Sequence, residues 1–320
     1  RQFRAGAEDR SRESFSEEEA ISSALALPAV IPIVGLGGWL SPTGPSGSRL
    51  GGVHPQTASR QSASAPVVYT RGMTSLYVAW HTKEPPPVWG PVGRLDFDKG
   101  LYRFAYTRGA EVLPGFEPLA GLPDLYQVYE SPTLFPLFKN RLLPPSRPEY
   151  KDYLTWSGFN PSLPPEPLVI LGRTEGIKQT DAVEVFPCPV PDAQGRYANS
   201  FFAHGVRYHL PNAAPVLEQL RAGDRLDIRP QPQNPADPNA VAIFSSGHPL
   251  GYIPRYLAAD VHRLLQECPG GEVRLFVERV NQDAPFQQRL LCRLQACWPD
   301  GFRPCQGPEF EPLVAGVTAG

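Results

Sequence analysis

A cation and an aromatic ring stand side by side at Arg207 and Tyr208. A guanidinium can contact a phosphate and a tyrosine ring can stack on an unpaired base, so this pair suits single-stranded nucleic acid. Farther along, residues 233–241 have the sequence QNPADPNAV, in which Asn and Asp side chains stand next to prolines of fixed φ. Such a composition predicts an ordered polar turn. Together the pair and the turn predict a binding surface.

A purely structural explanation of these residues also stays open. Asn, Asp and Pro dominate turns for local reasons, so Asn234, Asp237 and Asn239 could serve only to build the turn. In the same way, Tyr208 and Tyr252 could serve only to pack a barrel.

No motif of a known catalytic class accompanies this surface. The chain has no Gly-Lys dipeptide and therefore no P-loop, and it lacks the GxSxG, HExxH and protein-kinase motifs. Its carboxylates are scattered, without a spacing that pairs an acid with a base. The 30 Lys and Arg residues are balanced by 32 Asp and Glu residues, which excludes a polybasic binder. We therefore expect binding without catalysis and without a cofactor.

The five cysteines form no CxxC motif, so we expect reduced thiols and a cytoplasmic location. A zinc site is the alternative, because two cysteines and two histidines form closely spaced pairs. Its candidate ligands are Cys292, Cys297, Cys305, His204 and His209.

The single methionine, Met73, directly precedes a strand-like run, whereas residues 41–66 are rich in Ser, Gly, Pro and Ala. Such a segment cannot bury enough surface to offset its ordering entropy, so we expect residues 1–72 to be a disordered upstream extension. Residues 20–39 are apolar, and a membrane span or signal peptide is the alternative there. Acidic residues precede this run and prolines and glycines interrupt it, so we expect no membrane contact.

Residues 73–165 are predicted to form a small α+β domain. Alternating apolar residues indicate strands, and Asp-Lys-Gly at 98–100 indicates a hairpin turn. Ser131 followed by proline indicates a helix start. The predicted strands are 76–81, 93–97 and 102–106, and the predicted helices are 133–142 and 147–156.

The remaining chain is predicted to contain connecting strands, a barrel and a tail. Residues 166–199 are the connection, with strands at 168–173 and 182–186 and a turn at 194–196. Residues 200–298 form the barrel, and residues 299–320 form a loose tail. The barrel strands are predicted at 197–206, 225–230, 240–245, 272–280 and 289–297. One helix is predicted at 213–221, capped by Asn212. A second, amphipathic helix follows Pro254 and buries Leu257, Val261, Leu264, Leu265 and Cys268.

Residues 205–208, 233–241 and 250–254, followed by the amphipathic helix, together resemble a HIRAN domain. This family is a small β-barrel module similar to OB and SH3-like barrels. It occurs on some DNA-repair remodelling ATPases and also alone in bacterial proteins. The resemblance covers about 100 residues and implies a bacterial protein that binds nucleic acid.

In the eukaryotic members of that family, a concave face receives the 3′ end of single-stranded DNA. The resemblance implies that Arg207 contacts phosphate, Tyr208 stacks on a base and Asp237 accepts a hydrogen bond from the terminal sugar hydroxyl. It implies that Asn234 and Asn239 hold the loop. It also implies that Tyr252 and Arg255, where the barrel meets its helix, extend the face. His209 and Ala236 stand where those members carry aromatic residues. The residues that the resemblance assigns to nucleic-acid binding are Arg207, Tyr208, His209, Asn234, Asp237, Asn239, Tyr252 and Arg255.

A second resemblance involves the first predicted domain. Residues 76–80, 92–95, 102–106 and 134–144 are similar to the N-terminal subdomain of HipA-type toxin kinases. That subdomain is a small sheet with helices, used for regulation and contacts. The resemblance implies a protein partner at residues 73–165.

We therefore predict an α+β protein in which a sheet-plus-helices domain precedes a HIRAN-type barrel with an amphipathic helix. The predicted function is non-catalytic binding of single-stranded DNA or its 3′ end. Two alternatives stay open. The chain could be an interaction module that docks a kinase-like toxin or a helicase. It could also be an accessory subunit of a nucleotide hydrolase acting on DNA.

Overall fold

Five antiparallel strands build the first sheet, in the order β4-β3-β2-β1-β5. The protein is seen here as a computed structural model that describes residues 74–82, 88–178 and 180–314. The expectations for residues 1–72 lie outside these ranges. The three predicted strands and the hairpin turn are confirmed, since Lys99 and Gly100 adopt positive φ of 50° and 83°. The strands are β1 Thr74–His81, β2 Trp89–Asp98, β3 Leu101–Tyr106, β4 Tyr129–Ser131 and β5 Val183–Pro187.

Strand β1 is buried on both faces. Leu76 and Val78 face the main core of this sheet, whereas Tyr77 and Ala79 face a smaller cluster on the other side. Because side chains of a strand alternate between faces, an almost continuous apolar run is what a doubly covered strand requires. We call the first sheet and its helices, residues 74–187, the first lobe.

The first lobe has four short helices. They are α1 Gly109–Val112, α2 Pro136–Lys139, α3 Tyr150–Trp156 and α4 Pro167–Thr174. The prediction for 133–142 is wrong, because only the four residues of α2 are helical and Ser131 ends β4. Proline at position 136 holds Phe135 in an extended conformation, with ψ of 141°, so the helix cannot begin earlier. Helix α3 confirms the later part of the second predicted helix, and Tyr153 and Leu154 pack in a core as expected.

Helix α4 corrects the prediction of a strand at 168–173. All six residues of that run are buried, so the sequence lacks the polar positions that distinguish a helix from a buried strand. Proline at position 167 occupies the first helical position, where its missing N–H has no cost. Helix α4 and β5 also complete the first lobe, so this part of 166–199 is more than a connection.

Six antiparallel strands build the second sheet, in the order β6-β11-β10-β7-β8-β9. Its two edges approach each other through a bridge between His204, just after β6, and Tyr252 in β9. The result is a curled sheet, or half-barrel, in place of the complete barrel. The predicted strands are confirmed apart from their ends, and β9 is additional. The strands are β6 Tyr197–Phe202, β7 Arg225–Pro230, β8 Val241–Ser245, β9 His248–Tyr252, β10 Arg274–Val280 and β11 Leu290–Ala296.

Two helices pack on this sheet, α5 Val206–Gln219 and α6 Arg255–Glu267. Helix α6 confirms the predicted amphipathic helix, although Leu265 is 37% exposed and not part of its buried face. Helix α5 begins well before the predicted start, so Asn212 lies inside the helix and is not its cap. We call residues 197–298 the second lobe.

The segment after β11 is packed and not loose. Phe302 is buried against Tyr197, with ring centroids 6.1 Å apart. Farther on, the Leu313 backbone N–H donates to the Tyr106 carbonyl at 3.0 Å, so the chain returns to the first lobe. The lobes also touch where the Tyr256 ring stacks on Phe186 at 4.6 Å.

The expectation of reduced cysteines is wrong for one pair. Cys268, at the end of α6, and Cys297, after β11, form a disulfide. Their sequence separation is 29 residues, and only the packing of α6 against the sheet brings them together. Cys188, Cys292 and Cys305 are free thiols. Among the described residues, no helix has the length and apolar character needed to cross a membrane.

Candidate nucleic-acid interface

The chain turns from β6 into α5 directly beside Tyr252. His204 and Tyr252 exchange two backbone hydrogen bonds, each of 2.9 Å. The turn itself is made by Gly205, whose φ is 68°. A Cβ added there would lie 3.2 Å from the Tyr252 ring, so glycine is needed for both the conformation and the close approach. This bend places Arg207 and Tyr208 in the first turn of α5.

Arg207 and Tyr208 form one exposed surface. The guanidinium carbon lies 4.5 Å from the centroid of the Tyr208 ring, and the guanidinium also donates a hydrogen bond to the Tyr208 hydroxyl. Tyr208 is 42% exposed. The predicted cation–ring pair is therefore present and open to a ligand.

His209 lies beneath this surface. It is only 9% exposed, its Nε2 has no hydrogen-bond partner among the described residues, and the centroid of its ring lies 5.6 Å from that of Tyr252. Burial lowers the pKa of His209, so the imidazole is neutral at neutral pH. The structure places it as a packing residue between α5 and β9.

The polar turn at 231–240 is held by its own side chains. Asn234 Oδ1 accepts hydrogen bonds from the backbone N–H groups of Ala236 and Asp237, at 3.0 and 3.3 Å. Asp237 Oδ1 accepts from the Asn239 N–H at 2.8 Å. Asn234 and Asp237 therefore build the turn, as the purely structural explanation of these residues predicts. The Asn239 side chain is exposed.

Two contacts join this turn to the region of α5. Asn234 lies next to the Tyr252 hydroxyl, whose pKa is raised by burial, and Asp237 Oδ2 pairs with Arg255 Nε at 3.0 Å. Since Tyr252 also touches His209, the contacts run from the turn to the start of α5 without a gap. A chain of contacts therefore connects the eight predicted residues, but of these eight only Arg207 and Tyr208 line the groove between the two lobes.

A groove of about 460 Å³ lies beside Arg207 and Tyr208, between the two lobes. Phe286, which is 47% exposed, also lines this groove. The sequence analysis missed this residue, although an aromatic after a proline in the β10–β11 loop was a possible signal. It also missed Glu175, which lines the groove from the first lobe, and it considered His204, which lines the groove from the second lobe, only as a zinc ligand.

The candidate zinc ligands are not gathered at one point. Cys297 is bonded to Cys268, Cys292 is buried in the second lobe, and His204 pairs with Glu175. Across the described ranges, no three His, Cys, Asp or Glu side chains are grouped as metal ligands would be.

Two solved structures and one family model are similar to part of the chain. The chain is similar to the HIRAN domain of human HLTF, at 16% identity and a TM-score of 0.24, over 31% of this chain and 76% of that one. It is also similar to a Lactobacillus plantarum protein, at 27% identity and a TM-score of 0.25, over 32% of this chain and 96% of that one. No curated protein matches the chain. The family model of the HIRAN domain matches residues 197–295, which include β6 to β11, α5 and α6. Residues 197–295 are therefore a HIRAN domain, a module known to bind DNA.

Proposed function

We propose that the chain binds single-stranded DNA, at its 3′ end, in the groove beside Arg207 and Tyr208, and that it does so without catalysis. The observation that carries this proposal is the presence of two exposed rings, Tyr208 and Phe286, in one groove with an arginine. Rings of this kind stack on bases of any sequence, and the guanidinium attracts the backbone phosphate. Double-stranded DNA offers no unstacked base to such rings.

Asp237 supports the preference for a 3′ hydroxyl. Its carboxylate lies in the turn at 231–240, outside the lining of the groove, where Oδ1 accepts from the Asn239 N–H and Oδ2 pairs with Arg255. A carboxylate accepts a hydrogen bond from a sugar hydroxyl but repels a terminal phosphate. We therefore expect a 3′-OH end to bind more tightly than a 3′-phosphate end.

The direct test is the affinity of the full chain for three oligonucleotides, with a free 3′-OH, a 3′-phosphate and a blocked 3′ end with a free 5′ end. Tyr208→Ala and Phe286→Ala should each weaken binding by roughly 1–3 kcal/mol through loss of stacking. Tyr126→Ala is the matched control, because Tyr126 is an exposed tyrosine of the first lobe that does not line the groove. Equal losses in all three variants would contradict the proposal.

Arg207 has a matched control as well. Arg229 lies 4.4 Å over the ring of Phe244, so it makes the same kind of cation–ring pair outside the groove. Arg207→Ala should weaken binding and reduce the slope of log K against log salt by about 0.7, the amount for one phosphate on a single strand. Arg229→Ala should leave the slope unchanged, and equal slopes for both variants would argue against a specific phosphate contact at Arg207.

The absence of catalysis has its own test, since the purified chain should show no ATP hydrolysis with Mg²⁺.

Several further statements stay predictions from the sequence. They are a protein partner at residues 73–165, the likeness of that region to HipA-type subdomains, the role of hydrolase subunit, and the bacterial and cytoplasmic assignments.

A further inference from the structure

An ion pair crosses from the first lobe to the edge of the HIRAN domain. Glu175 follows α4 in the left-handed conformation, with φ of 59°, and its side chain is only 4% exposed. Its Oε2 lies 2.7 Å from Nε2 of His204, the residue that leads into α5. Glu175 lies outside the matched HIRAN residues, so this contact belongs to the particular combination of lobes in this chain.

The two partners of this pair face different surroundings. The buried carboxylate of Glu175 has both oxygens engaged, because Oε1 accepts a hydrogen bond from the Tyr256 hydroxyl at 2.9 Å. The His204 side chain is 32% exposed and lines the groove together with Arg207 and Tyr208. Within the described ranges, the structure shows no partner for the second ring nitrogen, Nδ1. The positive end of the pair is therefore the end that a ligand in the groove can reach.

Charged groups around His204 come from several elements. Glu175 and Glu184 of β5 act on it from the first lobe, while Arg207 also lines the groove. Arg141 also lines the groove, but its guanidinium is committed to backbone carbonyls and to Asp181. Burial would lower the pKa of His204, but Glu175 and then Glu184 outweigh it and raise this pKa to about 9. At neutral pH the ring is thus an imidazolium with a free N–H.

We propose that His204 contacts a backbone phosphate of the strand bound in the groove, and that Glu175 of the first lobe positions the imidazole for that contact. The inference rests on the proposed function and adds a residue and a lobe to its site. Two cations that line one groove, His204 and Arg207, can hold a phosphate that one exposed cation would hold weakly. The His204 side chain is 32% exposed and the Glu175 side chain only 4%, so an incoming phosphate reaches the imidazolium more readily than the carboxylate.

The test measures the affinity of the full chain for single-stranded oligodeoxyadenylate as a function of salt and of pH, from about pH 5.5 to about pH 9.5. His204→Gln should weaken binding several-fold at pH 7 and reduce the salt slope by about 0.7. In the wild type, affinity should stay level up to pH 8 and then fall as the imidazolium loses its proton near pH 9. Glu175→Gln should move this fall to about pH 6.5 or below, and its affinity should approach that of the wild type at acid pH.

Tyr256→Phe is the matched control. It removes the other hydrogen bond to Glu175 and leaves the charge and the contact to His204 in place, so the pH profile should not move. If Glu175 had only a structural role, Glu175→Gln and Tyr256→Phe would instead weaken binding equally at every pH. Melting temperatures of all variants identify any loss that follows from unfolding, and His204→Gln decides the question if Glu175→Gln does not fold.

The outcomes separate this inference from the proposed function. If the wild type does not bind single-stranded DNA, both are wrong. If it binds and depends on Tyr208 and Phe286, but His204→Gln keeps the wild-type affinity and salt slope, the proposed function stands and the role of His204 is overturned.

Discussion

Asp237 holds the turn with one carboxylate oxygen and pairs with Arg255 through the other. The sequence alone left a turn role and a ligand role open, and the structure shows the contacts of the first. A variant that keeps the turn and removes the charge separates the two roles. Asp237→Asn retains an acceptor for the Asn239 N–H, so it should cost no more than about 1 kcal/mol of stability, the range for a partly exposed ion pair.

The expected result for Asp237→Asn is loss of the preference for a 3′-OH end, measured as the ratio of affinities for 3′-OH and 3′-phosphate oligonucleotides. Asp237→Ala should lose the same preference and also more stability, because it leaves the Asn239 N–H without its acceptor. An unchanged ratio in Asp237→Asn would show that the carboxylate only builds the turn.

Helix α5 contains two prolines, Pro211 and Pro215, at exposed positions. Each removes an N–H donor from the helix, and Pro211 leaves the Arg207 carbonyl without its bond to the residue four positions later. The buried face is nevertheless regular, with Val206, His209 and Ala213 at helical spacing. Packing of this face therefore sustains a helix that local propensity opposes.

Two substitutions in α5 test where the helix begins, through the free energy of unfolding. Pro211→Ala should raise it by up to about 3 kcal/mol, because the change restores a hydrogen bond inside the helix. Asn212→Ala should raise it slightly, since alanine is the better helix former at an interior position. If Asn212 were the helix cap, its replacement would instead lower the stability by about 1 kcal/mol.

Three groups with raised pKa should make the folded chain lose stability as the pH rises, whereas His209, whose pKa is lowered by burial, acts in the opposite direction. Burial raises the pKa of Asp260 from 3.8 to about 7, so the folded state holds a proton there that the unfolded state releases. His204 acts in the same direction between its ordinary pKa of 6.5 and about 9. Burial and nearby Glu175 also raise the pKa of Glu184. In each window the folded state binds more protons, so the free energy of unfolding falls with increasing pH.

Denaturant unfolding at a series of pH values measures this fall, which should not exceed about 1.4 kcal/mol per pH unit for each group. Asp260→Asn should flatten the curve between about pH 4 and pH 7 and raise stability at pH 8. His204→Gln should flatten the part above about pH 6.5 and leave the acid part as it is. A wild-type curve that rises from pH 5 to pH 8 would contradict the assignment.

The sequence by itself determined the features that depend on neighbouring residues. Alternating apolar positions predicted most strands, and the period of α6 predicted its buried face, because these patterns reflect the geometry of one element. The turn at 231–240 and the adjacency of Arg207 and Tyr208 were visible for the same reason, and they sufficed to identify the HIRAN region.

Tertiary structure decided the features that join distant parts of the chain. Helix α4 was mistaken for a strand because a fully buried run has no polar face, so its conformation depends on what surrounds it. The start of α5 depends on the contact of Gly205 with Tyr252. Phe286 meets the groove, and Glu175 meets His204 over a separation of 29 residues, only after the two lobes have packed. Such pairings arise from close packing between elements, which no local pattern of residue types encodes.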